Sequence, residues 1–152
     1  MIKFSCKHYN RLSKNELYDV MQLRQEVFVL EQNCPYVDAD GKDLSAWHLL
    51  GKNDEGKLIV YTRLLPKGVS YENYASIGRV VTHQLVRGTG IGKILMSKSI
   101  NLLKKLCPDD KIKIGAQAHL KKFYESLGFE QSGEVYDEDG IPHIPMILLN
   151  EY

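Results

Sequence analysis

Residues 87–93 read Arg-Gly-Thr-Gly-Ile-Gly-Lys, with three glycines in five positions. They separate a stretch rich in β-branched residues, 77–82, from one whose apolar residues recur every three or four positions. A strand entering a helix through such a turn can bind an anion. The N–H groups of the first helical turn lack intrahelical partners, and the helix dipole adds about half a positive charge there. Glycine lets a phosphate approach the backbone and adopts positive φ where the turn requires it. On the glycines alone, a ligand-free strand–helix turn is an equal reading. Spacing excludes two phosphate motifs. A P-loop needs Gly where Arg87 stands and Ser or Thr where Ile94 stands, and a GxGxxG fingerprint begun at Gly88 and Gly90 meets Lys93.

The other reactive side chains are scattered. Cys6, Cys34 and Cys107 form no CxxC pair, as expected for reduced thiols in a cytoplasmic protein. His8, His48, His83, His119 and His143 pair with no Cys or Glu at a ligand spacing, so no metal is predicted.

Periodicity supplies the elements that must position these groups. Alternation of Ile2, Phe4, Cys6 and His8 predicts a strand over 2–9. Ser13 opens a capping box with Glu16, and Leu17, Val20, Met21, Arg24, Val27 and Phe28 follow at helical spacing to about residue 30. Residues 46–53 and 57–66 read as a hairpin and 76–83 as a strand. A helix over 90–106 ends before Cys107-Pro108. A strand over 111–116, a short helix over 118–127 stopped by Gly128, and strands over 129–136 and 143–149 around Asp139-Gly140 complete the chain. The order β-α-β-β-β-α-β-α-β-β predicts an α/β (mixed α+β) fold, a mixed central sheet of about seven strands flanked by helices, in a single domain over 1–152.

Composition narrows the class. Apolar residues make up 43% of the chain, which fits a globular domain. Lys and Arg total 20 against 19 acidic residues, a balance that gives no support for nucleic-acid binding. No apolar run reaches the roughly 18 residues of a membrane span, and the N-terminus has no apolar signal core.

Arg87-x-x-Gly90-x-Gly92, after a strand and opening a helix, resembles the R/Q-x-x-G-x-G/A signature of the GNAT superfamily of N-acetyltransferases. AQAHLKKFYESLGF, residues 116–129, is similar to that family's second signature, a strand end running into a short helix. LRQEVFVLEQNCPYVDADGKD, IGRVV, AQAHL and EDGIPHIPM, in this order from about 23 to 146, resemble the ElaA-type branch. The resemblance implies a GNAT-like acyl-CoA N-acyltransferase fold with acetyl-CoA as co-substrate. It implies that Arg87, Gly88, Thr89, Gly90, Ile91, Gly92 and Lys93 hold the pyrophosphate. It further implies that the backbone of Val80, Val81 and Thr82 meets the pantetheine arm and thioester where this strand splays from the next. Tyr124 falls on the tyrosine that protonates the departing sulfur in many members. Gln117 stands where Asn is frequent.

Many members carry a glutamate base in the strand 77–80, and here there is none. Glu31, beside the loop that the resemblance places at the substrate cleft, ranks first as the base, then His143, then His48. A histidine's ordinary pKa near 6.5 suits the role. Cys34, Tyr36, Glu31 and His48 are candidate acceptor contacts. A covalent role for Cys34 is the lesser reading, and Tyr36, Asp40 and Asp43 read as wall or turn residues. Acids near the cleft would favour a cationic amine. The expected activity is acetyl transfer from acetyl-CoA to a primary amine (small amine, amino acid or peptide terminus) by direct attack in a ternary complex. The protein is expected to be a monomer or homodimer, with no nucleic-acid or membrane partner. A non-catalytic acyl-CoA-binding sensor or scaffold is the alternative.

Overall fold

The computed structural model describes residues 1–149; residues 150–152, the end of the expected domain, lie outside that range. After β1 (Lys3–His8), α1 (Lys14–Arg24) begins with the predicted cap. The Glu16 N–H donates to Ser13 Oγ and the Ser13 N–H donates to the Glu16 carboxylate. The helix continues to Glu31, but Gln25–Glu31 winds as a π-helix, with Val27 and Phe28 still buried. β2 (Trp47–Lys52) and β3 (Leu58–Leu65) form the expected hairpin, whose turn is held by Asn53 Oδ1 accepting from the Glu55 and Lys57 N–H groups. Then follow β4 (Ser76–Thr82), α2 (Ile91–Leu106), β5 (Lys113–Gln117) and α3 (Lys121–Glu125). The chain ends in β6 (Phe129–Gln131), β7 (Tyr136–Glu138) and β8 (Ile141–Leu148).

The expected single sheet is divided in two. One sheet has the order β1-β2-β3-β4; the other has β5-β8-β6, with β7 also pairing β8. They touch at one parallel bridge, Ala75 with Ile112. There the Ala75 N–H donates to Lys111 O and the Lys113 N–H donates to Ala75 O, each at 2.9 Å. Beyond that bridge β4 and β5 do not pair. A β-bulge is the local cause. Opposite Tyr61–Arg63 the register of β4 slips, and Arg79 takes a left-handed φ of 48°. Bulges bend the strand that carries them and end pairing beside it.

The last strand pair is also more broken than the sequence suggests. The expected strand over 129–136 is two short ones, β6 and β7, at opposite ends of β8. The turn at Asp139-Gly140 stands where expected. Both residues have positive φ, 52° and 81°, the geometry of a two-residue type I′ hairpin.

Helices cover both faces of the first sheet. Successive strand residues face opposite sides. On β3, Tyr61 packs into the cluster of Val20 and Leu23 from α1 and Val27 and Phe28 from its π-helical continuation. The next residue, Thr62, meets Ser99 of α2 with 2.7 Å between hydroxyls. Met96, Ile100 and Leu103 of α2 pack on Ile77, Ile114 and Ile144, so this helix bridges the two sheets and fixes their separation. No helix among the described residues is long and apolar enough to cross a membrane.

Candidate active site

Where β4 and β5 part, a cleft of ≈ 880 Å³ opens. The His83 N–H donates to Ile59 O on β3 at 2.7 Å. By strand alternation, Val80 and Thr82 then turn their backbone groups the other way, into the gap. Both residues line the cleft, whereas the Val81 side chain is buried in the core against α1. Arg87 Nε donates to Thr82 O at 3.0 Å, which occupies one of these backbone groups and ties the glycine turn to the strand.

The turn itself is open. Gly88 and Gly90 have φ of 78° and 82°, conformations that L-residues avoid. α2 starts after Gly90 with no side-chain cap, so the N–H groups of its first turn have no side-chain acceptor. Residues 87–90 are exposed, as is Lys93, and Gly92 lines the cleft. Thr89 turns its hydroxyl back to Val86 O. The Ile91 side chain is buried, leaving its backbone N–H at the open start of the helix.

Tyr124, on α3, stands on the opposite wall with Gln117 from the end of β5. Phe123 and Phe129 meet its ring edge-on at 5.1 and 5.9 Å between centroids. The residue is only 6% exposed, and burial alone pushes its pKa up to about 12. The phenol therefore stays protonated at neutral pH and can donate.

The base candidates separate. Glu31 does not line the cleft. Its carboxylate receives both Arg87 Nη1 and Nη2, and this pairing holds its pKa below the usual range. It is a counter-ion of the glycine turn, not a free base. His48 is a second correction. It is fully buried, away from the cleft, with Nε2 3.0 Å from Asp43 O and Nδ1 2.5 Å from Tyr61 Oη. A carbonyl can only accept, so Nε2 carries the proton and Nδ1 accepts from Tyr61. Burial lowers its pKa, and the imidazole is a neutral core group. His143 does line the cleft. Its Nδ1 donates to Ile141 O at 2.8 Å, which turns Nε2 toward Glu138 Oε2 at 3.4 Å.

Cys34 and Tyr36 also line the cleft. The Cys34 thiol donates to Asp139 O at 2.9 Å, which links the loop after α1 to the β7–β8 turn. The Tyr36 hydroxyl donates to Asp38 Oδ1 at 3.3 Å, and its ring lies 5.6 Å from the Arg79 guanidinium carbon. Among the described residues no three His, Cys, Asp or Glu side chains are grouped to hold a metal ion.

Sequence reasoning missed the buried ion network behind this wall. Arg24, with no exposed surface, holds Asp38 at 2.7 Å and Asp43 at 2.6 Å. Arg63 bonds Asp40 at 2.8 and 3.0 Å and Asp43 at 3.1 Å, and Arg79 reaches Asp38 O and Asp40. These contacts lower the pKa of Asp43 and bring Asp40 to about 2, against the opposing cost of burial. Two signals were available: Arg24 on the apolar face of α1, and Arg63 inside the apolar run LIVYTRLL.

Comparison with known proteins agrees with this geometry. The pattern described as "Acetyltransferase (GNAT) domain" matches residues 43–149. Protein ElaA of Escherichia coli (strain K12) is 48% identical over 149 residues, covering 96% of this chain and 95% of its own. The crystal structure of Escherichia coli ElaA superposes with a TM-score of 0.91 at 43% identity, covering 98% of this chain and all of that one. An acyl-CoA N-acyltransferase from Pseudomonas aeruginosa superposes with a TM-score of 0.92 at 43% identity, with the same coverage. The chain belongs to the GNAT family of acetyltransferases, in its ElaA-type branch.

Proposed function

We propose that the protein is an acetyl-CoA-dependent N-acetyltransferase that works by direct attack of a primary amine in a ternary complex. The observation that carries this reading is the gap between β4 and β5. It has unpaired strand backbone on one wall, a buried protonated phenol on the other, and an uncapped helix N-terminus alongside. The first-turn N–H groups of α2 and the glycine turn take the diphosphate. The N–H groups of Val80 and Thr82, turned away from β3, can donate to the negative charge that develops on the thioester oxygen.

His143 suits the base. An amine with pKa about 10.4 must lose a proton before it attacks. Nε2 can take that proton, and the Glu138 carboxylate then faces the imidazolium. Tyr124 gives its proton to the departing sulfur, whose thiol has a pKa of about 8.5 in water. Gln117, beside His143 across the β5–β8 pair, can hydrogen-bond the bound arm.

Calorimetry with coenzyme A tests the binding half, and thiol release from acetyl-CoA across a panel of amines tests the transfer. Saturable heat and amine-dependent thiol release are the expected results. Well-folded protein that gives no heat with coenzyme A overturns the reading; binding without turnover on any amine leaves a sensor or scaffold.

A further inference from the structure

The cleft has a second end. β4 runs from Ser76, far from the glycine turn, to Thr82 beside it. At about 3.3 Å per residue, Arg79 lies roughly 10 Å back along the strand from Thr82. Around that far end the cleft is lined by Arg79, by Arg63 from the neighbouring strand and by Lys42 from the loop after α1. Arg63 pairs with Gly78 across the sheet, and Lys42 Nζ donates to Ser70 Oγ at 3.0 Å.

The hydrogen bonds here do not balance. Every carboxylate of the cluster is engaged. Asp38 takes Arg24 Nε and the Tyr36 hydroxyl, and Asp43 takes Arg24 and Arg63. Asp40 takes Arg63 at both oxygens, Arg79 at one and the Lys42 N–H at the other. One donor is left over: Arg63, whose side chain is only 4% exposed, has a buried Nε with no partner. Arg79 Nε makes an ion pair with Asp38 Oδ1 at 2.8 Å, but its N–H is poorly aligned for a hydrogen bond. A buried unpaired donor is costly, more so on a charged group, and native structures place a partner there. Three arginines meet three aspartates, and Lys42, whose Nζ bonds Ser70 and no carboxylate, adds one surplus positive charge beside them. The remaining acids of the cleft, Glu138 and Asp139, belong to the β7–β8 hairpin on the other wall, with Glu138 at His143.

We infer that this end is a carboxylate subsite, so that the acceptor is an amine bearing a carboxylate, such as an amino acid, held by Lys42, Arg79 and Arg63 with its amine toward His143. The inference rests on the transferase reading and narrows it. It also reverses the expectation that acids near the cleft select a cationic amine, since those acids are spent on arginines.

The test uses matched acceptors that differ only by the carboxylate, such as an amino acid and its decarboxylated amine, assayed by thiol release from acetyl-CoA with the whole chain. One charge-assisted hydrogen bond predicts a preference in kcat/KM of roughly ten- to hundredfold for the carboxylate-bearing twin. Lys42→Gln, which removes one half-buried cation and its bond to Ser70, should collapse that ratio toward one by raising KM for the carboxylate twin. Arg79→Lys should give a smaller collapse, because the charge stays while the fork is lost; a thermal melt checks that each variant folds. Equal or better use of the decarboxylated twins overturns the inference alone, as does a preference that survives both substitutions. Absence of turnover with every twin overturns the inference, and it overturns the transferase reading as well when the wider panel of amines is also inert.

Discussion

Replacing Tyr124 by Phe separates chemistry from architecture because of how the residue is seated. Phe123 and Phe129 hold the ring by its edges, and a Phe ring keeps both contacts. No shift in the Tyr124 pKa comes from a hydrogen bond, so the substitution strands no partner. Stability should therefore change by no more than about 0.5 kcal/mol. Coenzyme affinity, set by the glycine turn and β4, should stay within about twofold. The rate should not survive so well. General acid catalysis contributes about 10²–10⁴-fold. A thiolate whose conjugate acid has a pKa near 8.5 leaves tolerably without help, which puts the loss at the low end, about 10²-fold in kcat. That equals about 2.7 kcal/mol of transition-state stabilisation. Steady-state thiol release, with coenzyme affinity measured separately by calorimetry, reads both quantities. The wild-type pH profile adds a check. Burial raises the phenol pKa to about 12, so the acid remains protonated as pH rises to about 10, and no alkaline limb below that point belongs to Tyr124. A folded Tyr124→Phe protein with kcat within threefold of wild type would refute the acid role. So would a defect confined to coenzyme affinity.

Other substitutions probe the supports. Arg24→Met leaves Asp38 and Asp43 buried with their second arginines only, and should cost about 3 kcal/mol in urea unfolding. Pairing with Arg24 holds the Asp43 pKa below its ordinary value, against the opposing cost of burial. That stabilisation is therefore complete above the unfolded pKa near 4 and is lost as pH falls through the folded value; the Arg24→Met penalty should shrink as pH falls below about 4, compared with about pH 7. Glu31→Gln frees Arg87 from an exposed pair worth at most about 1 kcal/mol. Coenzyme KM should fall by up to about fivefold with kcat unchanged, and a large fall in kcat would restore Glu31 as a base. Gly90→Ala meets no neighbouring atom, so its cost is the left-handed conformation alone, about 1–2 kcal/mol. Calorimetry should show coenzyme bound about tenfold more weakly, and undiminished binding would mean that the turn does not need this geometry.

How much of this was legible in the sequence follows from the range of the interactions. The glycine turn was readable because Gly88 and Gly90 answer a local demand, positive φ at a strand–helix junction. The Ser13 cap and the Asp139-Gly140 turn were readable for the same reason. The division of the sheet was not, because residues 76–82 look the same whether or not β5 pairs with them; Gly78, inside the strand just before Arg79, hints at a bulge but does not say which pairing it ends. Glu31 was misjudged because its partner, Arg87, lies 56 residues away. His48 was misjudged because alternation cannot say that Asp43 and Tyr61 would satisfy both ring nitrogens. Arg24 had a helix position that belongs to the core and a charge that does not, and only Asp38 and Asp43 of VDADGKD, brought back by the loop, resolve that conflict.

The parting of β4 from β5 has one more consequence. A sheet interrupted in its middle has two inner rims whose hydrogen-bonding capacity is unspent, and a slender molecule carrying amides along its length can lie between them as a surrogate strand. Such a visitor would be part of the architecture while it stays. Its arrival should slow amide exchange on both rims together and raise the melting temperature with its concentration, and its departure should leave the two halves of the protein joined mainly through α2 and the Ala75–Ile112 bridge.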